Sequence, residues 1–493
     1  MTRNADARLS LKAIFHPLKL TQGSCWKTIL FFSIPIIISY LLQQIYTISD
    51  AAIVGQTLTA DEVAGVTDST PLVFVFLQFA FGSSAGFCAV TACCVGTHDQ
   101  AGVRRSLATQ FVLSGVLTVL LTALALLTLG PLLAWINVTP ENAAVYTAAR
   151  TYCEIIFAGI GAQLFYNFIC SFLRSLGDSV TPLAFLLFST ILNVALDLLF
   201  ILVFGWGVAG AAAATVAAQL ISTVACFMYA FSKYPELRLG RDDWRVTWHD
   251  VRRHATQGIP LGLQFSVLMI GVIVMQGVVV QFDIVDGVMV SNAAQNGFGA
   301  ANKLNNLLMT PFNGLGAAMT SFAAQNLGTG DHERIKRGTL QALLIAAVMM
   351  AVIVCFGLLL TVSGAYLRIF LSADKISADT VRYGNIFLYV DLAMYAFLAF
   401  IFVVRSCVQG IGRPQFIIGA GTAELVARVA VCLLLPPVFA GGAVSAAAPT
   451  TAYIAMCAAD PIAWMSADAV LLVPFVRNIL KKNYAYFTRN RAA

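Results

Sequence analysis

The chain has 493 residues, of which 59% are hydrophobic and only 11% are charged. A soluble protein of this size carries about 25% charged residues, because its surface faces water. The composition therefore excludes an ordinary soluble enzyme, a disordered protein and a DNA-binding domain, and it predicts a polytopic membrane protein. The net charge of +6 is modest, so the positions of the charges are more informative than their sum.

Apolar runs of about 20 residues, the length that crosses a bilayer as a helix, recur along the whole chain. Six of them precede a polar segment from Lys233 to His254, and six follow it. Because the runs are continuous rather than alternating, they exclude a transmembrane β-barrel. The predicted fold is therefore all-α and polytopic, with 12 transmembrane helices. The predicted spans are 26–54, 63–95, 105–130, 145–173, 181–204, 207–232, 255–283, 298–326, 336–362, 382–408, 414–436 and 446–476.

Lysine and arginine predict the orientation, because they concentrate in cytoplasmic loops. On this topology 24 of the 30 basic residues fall on one side, Arg174 and Arg405 among them. The sequence therefore predicts that both termini are cytoplasmic, as an even number of spans also requires. Residues 1–25 contain no apolar core with a cleavage site, so the first span is expected to direct insertion itself.

The chain contains an internal repeat of about 230 residues. The offset of 231 carries Asn193 onto Glu424 and Asp197 onto Arg428. Further pairs at offsets of 225 to 232 are Gly96-Thr97-His98-Asp99 with Gly328-Thr329-Gly330-Asp331, Ile34-Pro35 with Ile259-Pro260, and Arg174-Ser175 with Arg405-Ser406.

Each half has six spans, so both halves enter and leave on the same face, as parallel repeats do. The predicted organisation is an N-terminal lobe (1–232), a cytoplasmic linker (233–254) and a C-terminal lobe (255–493). Parallel repeats suit a transporter whose central cleft opens to alternate sides.

Charges inside the membrane are costly and commonly functional. Asp50 ends an unbroken apolar run, and Asp197 lies one helical turn after Asn193. These oxygens would suit Na⁺, or a proton held by the buried carboxylates. The alternative is that the acids only bond neighbouring helices.

The second half carries its own polar pair within the membrane, Glu424 and Arg428, which are opposite charges at i and i+4. They form either a self-neutralising pair that fixes packing or part of a second site. Glu154, Asp460 and Asp468 are expected near an interface without a functional role, whereas the role of Asp391 is open.

Pro35 lies inside span 1, 15 residues before Asp50. Proline removes a backbone hydrogen bond and creates a bend point. The hypothesis is a hinge that responds to ion binding at Asp50, and the alternative is a static kink. The eleven cysteines include no C-x-x-C pair, so they are interpreted as small hydrophobic residues rather than as disulfides or a zinc site.

Several motifs resemble those of the multidrug and toxic compound extrusion (MATE) transporters over residues 26–480. They are Ile34-Pro35 with Gln43-Gln44-Ile45-Tyr46, Ser49-Asp50 and Val54-Gly55; Leu173-Arg174-Ser175-Leu176-Gly177-Asp178 with Thr181-Pro182; Leu192-Asn193-Val194-Ala195-Leu196-Asp197; and Gly207-Val208-Ala209-Gly210-Ala211-Ala212 with Thr215.

The resemblance implies two six-helix lobes in a V-shaped pair and export of small molecules in exchange for sodium or protons. The family's cation-site positions fall on Asp50, Asn193, Asp197 and Thr215, which would be metal ligands if the ion is Na⁺, and its hinge proline falls on Pro35. No cofactor is expected beyond the coupling ion. The expected partners are small-molecule substrates and the lipid bilayer, with no nucleic acid, and the expected functional form is a monomer.

The same resemblance implies a multi-pass protein of the prokaryotic plasma (inner) membrane. The NorM-like branch has an acid in span 7, and residues 258–281 contain none. The chain therefore looks closer to the DinF-like branch.

The leading functional hypothesis is a secondary antiporter, not an enzyme, that exports amphipathic, cationic organic compounds. The alternative is a flippase for lipid-linked saccharide precursors, which would line its cleft with several basic residues, whereas here only Arg428 and Lys303 are available. An intramembrane transferase would need a D-D-x-x-D cluster, and the Asp242-Asp243 pair lacks the following acid. No Walker A motif occurs. A passive channel remains a formal alternative.

Overall fold

The structure, a computed structural model, describes residues 17–136 and 138–481, which are almost entirely helical. The first half contains α1 (Cys25–Thr57), α2 (Ala60–Gly96), α3 (Gln100–Trp135), α4 (Ala143–Ala158), α5 (Ile160–Ser175), α6 (Val180–Leu198, extended by a π turn to Val203) and α7 (Gly207–Lys233). The second half contains α8 (Trp248–Gln281), α9 (Ala293–Thr329), α10 (His332–Ser363), α11 (Ala365–Phe370), α12 (Ala378–Ala393), α13 (Tyr395–Gly410), α14 (Pro414–Ala440), α15 (Thr450–Cys457) and α16 (Ala459–Pro474, extended by a π turn to Leu480).

Short polar residues start several of these helices by satisfying backbone N–H groups that have no helical partner. Thr59 and Glu62 form a reciprocal capping box at α2, in which the Thr59 amide donates to Glu62 Oε2 at 2.9 Å. Asp99 Oδ1 accepts from the Gly102 amide at 2.8 Å at the start of α3. Ser377 caps α12 through the Thr380 amide at 3.1 Å. Local sequence therefore sets where these helices begin.

A two-stranded antiparallel hairpin separates α8 from α9. Strand β1 (Ile284–Val285) pairs with β2 (Val288–Met289). The two turn residues, Asp286 and Gly287, have φ angles of +49° and +80°, the left-handed conformation that a tight hairpin requires and that an Asp-Gly sequence favours.

The described helices account for the predicted spans. Nine are long and apolar enough to cross a membrane, and the bent pairs α4–α5 and α12–α13 raise that number to eleven when each pair counts as one span. The 37 residues of α9 are long enough as well, but their many asparagines make this helix more polar. With α9 as the eighth span, the chain is an all-α polytopic protein with 12 transmembrane spans in two six-span repeats, as predicted from the sequence.

The fourth span of each repeat is broken rather than continuous, which the sequence did not indicate. The break at Gly159 bends the chain by 46°, and the break at Met394 bends it by 54°. The repeated four-residue motif also has the same backbone in both halves, since His98 and Gly330 have φ angles of +56° and +78°. These shared irregularities support the repeat independently of sequence matching.

The described residues divide into two compact units that are interleaved in sequence. Unit 1 comprises residues 1–266, 320–331 and 409–414, and unit 2 comprises 267–319, 332–408 and 415–493. In unit 1, Phe76 and Phe157 lie in the apolar core with ring centroids 5.0 Å apart. In unit 2, Tyr395 packs edge-on against Trp464 at 6.1 Å. The predicted division at 233–254 and the V-shaped arrangement of the lobes stay predictions.

Candidate functional site

Three helices of unit 1 bring together the polar side chains predicted from the sequence. Asp50 comes from α1, Asn193 and Asp197 from α6, and Thr215 from α7. Asn193 and Asp197 leave the same face of α6, because they are one helical turn apart, and both are completely buried. Asp50 and Thr215 are half-buried. The cluster, which we call the unit 1 site, thus lies where these three helices meet.

Thr215 is held between two neighbouring helices. Its Oγ1 accepts a hydrogen bond from Asn193 Nδ2 at 3.4 Å and a long one from the Tyr46 hydroxyl at 3.5 Å. Both bonds lie at the long end of the normal range and are therefore weak. A loosely bonded set of oxygens can rearrange around a ligand at little cost.

The carboxyl groups of the unit 1 site have few partners. Asp50 and Asp197 lie close enough for their carboxyls to share a hydrogen when one is protonated. Otherwise both oxygens of Asp197, Oδ1 of Asp50 and Oδ1 of Asn193 are buried without a hydrogen-bond donor among the described residues. An uncompensated buried charge costs several kcal/mol. Two such carboxylates therefore require a proton or a bound cation.

Two tyrosines border this site. Tyr46 is one turn before Asp50 on α1, and Tyr152 on α4 lies near enough to feel the charges of Asp50 and Asp197. Sequence reasoning named Tyr46 only as part of a motif on α1 and assigned it no role, and it did not include Tyr152. The position of Tyr46 beside the site was predictable, because it lies four residues before Asp50 on the same face of α1. No pattern in the sequence connects Tyr152 to α1 or α6.

Pro35 is buried within α1, which is assigned as one helix from Cys25 to Thr57. Because proline has no N–H, the carbonyl of Phe31 loses its usual helical partner. The Ser39 hydroxyl donates to the Pro35 carbonyl at 2.8 Å. The helix therefore has a weakened point about four turns before Asp50, since 15 residues separate the two positions.

The pair Glu424 and Arg428 lies in unit 2, apart from the unit 1 site in sequence and helix. Their side chains pair at 3.4 Å, and Arg428 Nε also donates to Asp460 Oδ1 at 2.7 Å. The sequence analysis expected Asp460 near an interface without a functional role, and it did not anticipate this ion pair. Arg405, counted among the cytoplasmic basic residues, is also buried, with its Nη1 3.8 Å from Glu424 Oε2. Apolar neighbours along α13 and α16 gave no sign of these pairings.

The remaining acids of the sequence analysis have different surroundings. Asp391 is completely buried in unit 2, where its Oδ2 accepts from Asn305 Nδ2 at 2.7 Å, and Asn305 in turn accepts from the Tyr395 hydroxyl. Asp468 is buried, with Oδ1 lacking a donor among the described residues. Glu154 pairs with Arg150 at 2.7 Å on an exposed face, as expected for a residue with no functional role.

Asp178, in the turn between α5 and α6, is a structural rather than a ligand-binding acid. It accepts from Lys233 Nζ at 2.8 Å, from Tyr234 at 2.8 Å, and from the amide and hydroxyl of Thr181 at 3.0 and 2.7 Å. Burial alone would raise the pKa of the Asp178 carboxyl, but these bonds outweigh it and hold the pKa below its usual value. The Asp178 side chain is therefore a fixed carboxylate that holds this turn together.

The cysteines lie mostly in the interior of the protein. Nine of the eleven are buried. Among residues 17–136 and 138–481, no group of three or more His, Cys, Asp or Glu side chains is arranged to hold a metal ion.

The fold and the unit 1 site define a multi-span membrane transporter, and comparison with known proteins identifies the family. The MatE family profile matches residues 35–199 and 272–434. A relative from Bacillus subtilis (strain 168), the probable multidrug resistance protein YpnP, is 32% identical over 400 residues, which cover 80% of this chain and 84% of the relative. The chain therefore belongs to the MATE family, which is a family of membrane transporters.

Solved structures agree on the fold. A MATE structure in the straight conformation superposes with a TM-score of 0.77 at 23% identity, covering 94% of this chain and 98% of that one. A MATE structure in the bent conformation gives a TM-score of 0.77 at 22% identity with the same coverage.

Proposed function

We propose that this protein is a secondary active antiporter that exports amphipathic, cationic organic compounds in exchange for H⁺ or Na⁺ by alternating access. The observation that carries the proposal is that Asp197 is completely buried, and that both of its carboxyl oxygens and Oδ1 of the neighbouring Asp50 lack a hydrogen-bond donor among the described residues. The name of the Bacillus relative, a probable multidrug resistance protein, supports the substrate class. One charge crossing 100 mV releases about 2.3 kcal/mol, which is sufficient work for uphill export.

The unit 1 site binds the coupling ion as its cargo. A proton would join the Asp50 and Asp197 carboxyls, whereas Na⁺ would take those oxygens together with Asn193 Oδ1 and Thr215 Oγ1. Hard oxygen donors suit a cation of this kind, by extension from calcium and magnesium. Either ion removes the cost of the buried charges, so the occupied and empty sites favour different arrangements of α1, α6 and α7.

Pro35 is the hinge of this mechanism. The weakened backbone of α1 lies on the same helix as Asp50, so a change of charge there alters the strain along α1. Support comes from the description of two solved MATE structures as straight and bent.

We assign the chain to the DinF-like branch, since residues 258–281 of α8 contain no acid. The basic residues support cytoplasmic termini in a prokaryotic plasma membrane, and we propose that the monomer is the functional unit.

The test is export of a fluorescent dye cation from proteoliposomes with an imposed Na⁺ or proton gradient. Asp50→Asn and Asp197→Asn should each reduce gradient-driven export to the background of protein-free vesicles. Glu154→Gln, which alters an exposed ion pair, is the matched control and should keep full activity. Export that survives both aspartate substitutions would contradict the proposed coupling site.

A further inference from the structure

Unit 2 contains a buried charge cluster that the proposed function does not use. Arg428 on α14 bridges two acids, Glu424 on its own helix and Asp460 on α16. The side chains of Glu424 and Arg428 are each 6% exposed, and that of Asp460 is 13% exposed. The Arg428 guanidinium balances one of these two carboxylates, and Arg405, with its Nη1 3.8 Å from Glu424 Oε2, supplies a second positive charge.

The cluster occupies the position in its repeat that the unit 1 site occupies in the first. The offset of 231 carries Asn193 onto Glu424 and Asp197 onto Arg428. Asp460 lies in the sixth span of its half, as Thr215 does in the first half. Each repeat therefore places polar groups where its fifth and sixth spans meet.

The first span of each half also borders the polar cluster of that half. In unit 1 it contributes Asp50. In unit 2 the first span is α8, and it presents Gly271 to Arg428, where an added Cβ would lie 3.0 Å from Arg428 Cδ. The absence of a side chain at Gly271 leaves the space that the arginine fills.

The two clusters differ in one respect, which is the source of the positive charge. The unit 1 site has two carboxyls without a fixed cation, and the unit 2 cluster has two carboxylates with a guanidinium between them. We propose that Arg428 is a tethered cation, which fills in unit 2 the place that the coupling ion takes in unit 1. The inference rests on the proposed function and deepens it, because it restricts ion coupling to unit 1.

Removal of the guanidinium should turn the unit 2 cluster into a binding site for a free cation. In Arg428→Met, Glu424 and Asp460 lose their shared partner, and Arg405, with its Nη1 3.8 Å from Glu424 Oε2, balances only one of the two negative charges. The vacated space is therefore electronegative and is open to a small cation such as Na⁺.

The experiment measures the thermal unfolding of purified protein in detergent with NaCl or choline chloride at equal ionic strength. The background is Asp197→Asn, which removes the unit 1 site. Adding Arg428→Met should create a saturable rise in Tm specific to Na⁺, of about 2–3 °C at about 100 times Kd. Two control variants in the same background should show no such rise. Arg428→Lys keeps the positive charge. The double variant Glu424→Gln with Arg428→Met removes one of the two acids.

Equal responses of the Met and Lys variants, or no Na⁺ response in Arg428→Met, would overturn the proposal. If the Met variant does not fold, the unsubstituted protein gives the answer through the number of coupling ions per exported substrate. One ion supports the tethered cation, and two ions overturn it. The proposed function fails by a different result, namely export that does not depend on Asp50 and Asp197.

Discussion

At the scale of single residues, the properties of a buried charged side chain depend on whether it has a fixed partner of opposite charge. Asp197 is completely buried without a donor, whereas Arg428 has two carboxylates within 3.4 Å. The first arrangement has no fixed cation beside the acid, and in the second Arg428 and Arg405 lie beside Glu424 and Asp460. On the proposed function, the same helix position serves transport in one repeat and stability in the other.

Some of these residue environments were predictable from the sequence. The i, i+4 spacing placed Asn193 and Asp197 on one face, and the resemblance to the MATE family added Asp50 and Thr215. The role of Asp460 was not predictable, because it depends on which side chain of α14 meets the start of α16. Such long-range pairing is determined by tertiary packing, and the residues next to Asp460 in the sequence do not indicate it.

Asp178 provides a prediction on stability. Asp178→Ala should lower the free energy of unfolding by about 2–4 kcal/mol, because Lys233 and Tyr234 lose a buried acceptor. Denaturant titration in detergent at neutral pH measures the loss. Asp242→Ala, which affects only an exposed ion pair with Arg245, is the control and should leave stability unchanged.

The same carboxyl also predicts a dependence on pH. Its folded pKa lies below the unfolded value of about 3.9, so the stabilisation is complete above that value and is lost as pH falls through the folded pKa. The difference in stability between the original protein and Asp178→Ala should therefore be constant near neutrality and shrink below about pH 4. A difference that is unchanged at low pH would contradict this account.

At the scale of helices, the irregular points are better candidates for function than the regular spans. The sequence predicted the spans from apolar runs, but it missed the breaks at Gly159 and Met394, because hydrophobicity continues through both. An added Cβ at Gly159 would lie 2.3 Å from Val216 Cγ2, so the break coincides with a close approach of α7. Packing between helices, not local polarity, determines where these spans bend.

Pro35 gives the first prediction on a helix. Pro35→Ala restores a backbone hydrogen bond in α1 worth about 1 kcal/mol, which should make bending rarer and slow export roughly fivefold. Ion binding at Asp50 and Asp197 should persist. Dye export rates and ion-dependent thermal stability measure the two effects separately.

The matched control is Pro71→Ala, which also replaces a proline inside a helix, in α2. It should leave the export rate close to that of the original protein. An equal effect of both substitutions would indicate a general influence of helix stability and would contradict a hinge at Pro35.

Close packing of α9 against α12 gives the second prediction on a helix. An added Cβ at Gly297 would lie 2.4 Å from the Thr380 carbonyl, whereas nothing lies within 4 Å of one at Gly299. Both substitutions to alanine gain the same helix propensity. Gly297→Ala should nevertheless be about 1–3 kcal/mol less stable than Gly299→Ala, because the backbones must separate. The free energy of unfolding of both variants is measured by denaturant titration in detergent. Equal values would show that α12 can move away from α9 without loss of stability, and would contradict this prediction.

At the scale of the whole molecule, composition and repetition predicted most of the architecture. Scarce charge indicated a membrane protein, and the offset of about 231 residues indicated two halves. The structure adds that each half breaks its fourth span and repeats the left-handed turn at His98 and Gly330. The halves also differ, as the β-hairpin and α11 of the second half show, and the duplicated fold carries two different charge clusters.

The central claim is that ion and substrate move in opposite directions through one cycle. The most direct measurement loads proteoliposomes with a dye cation and records Na⁺ and proton movement as the dye leaves down its own gradient. Dye exit should drive Na⁺ or protons inward, and Asp50→Asn and Asp197→Asn should each abolish that ion movement. Dye exit without ion entry, or ion entry that persists in both variants, would contradict coupled exchange at the unit 1 site.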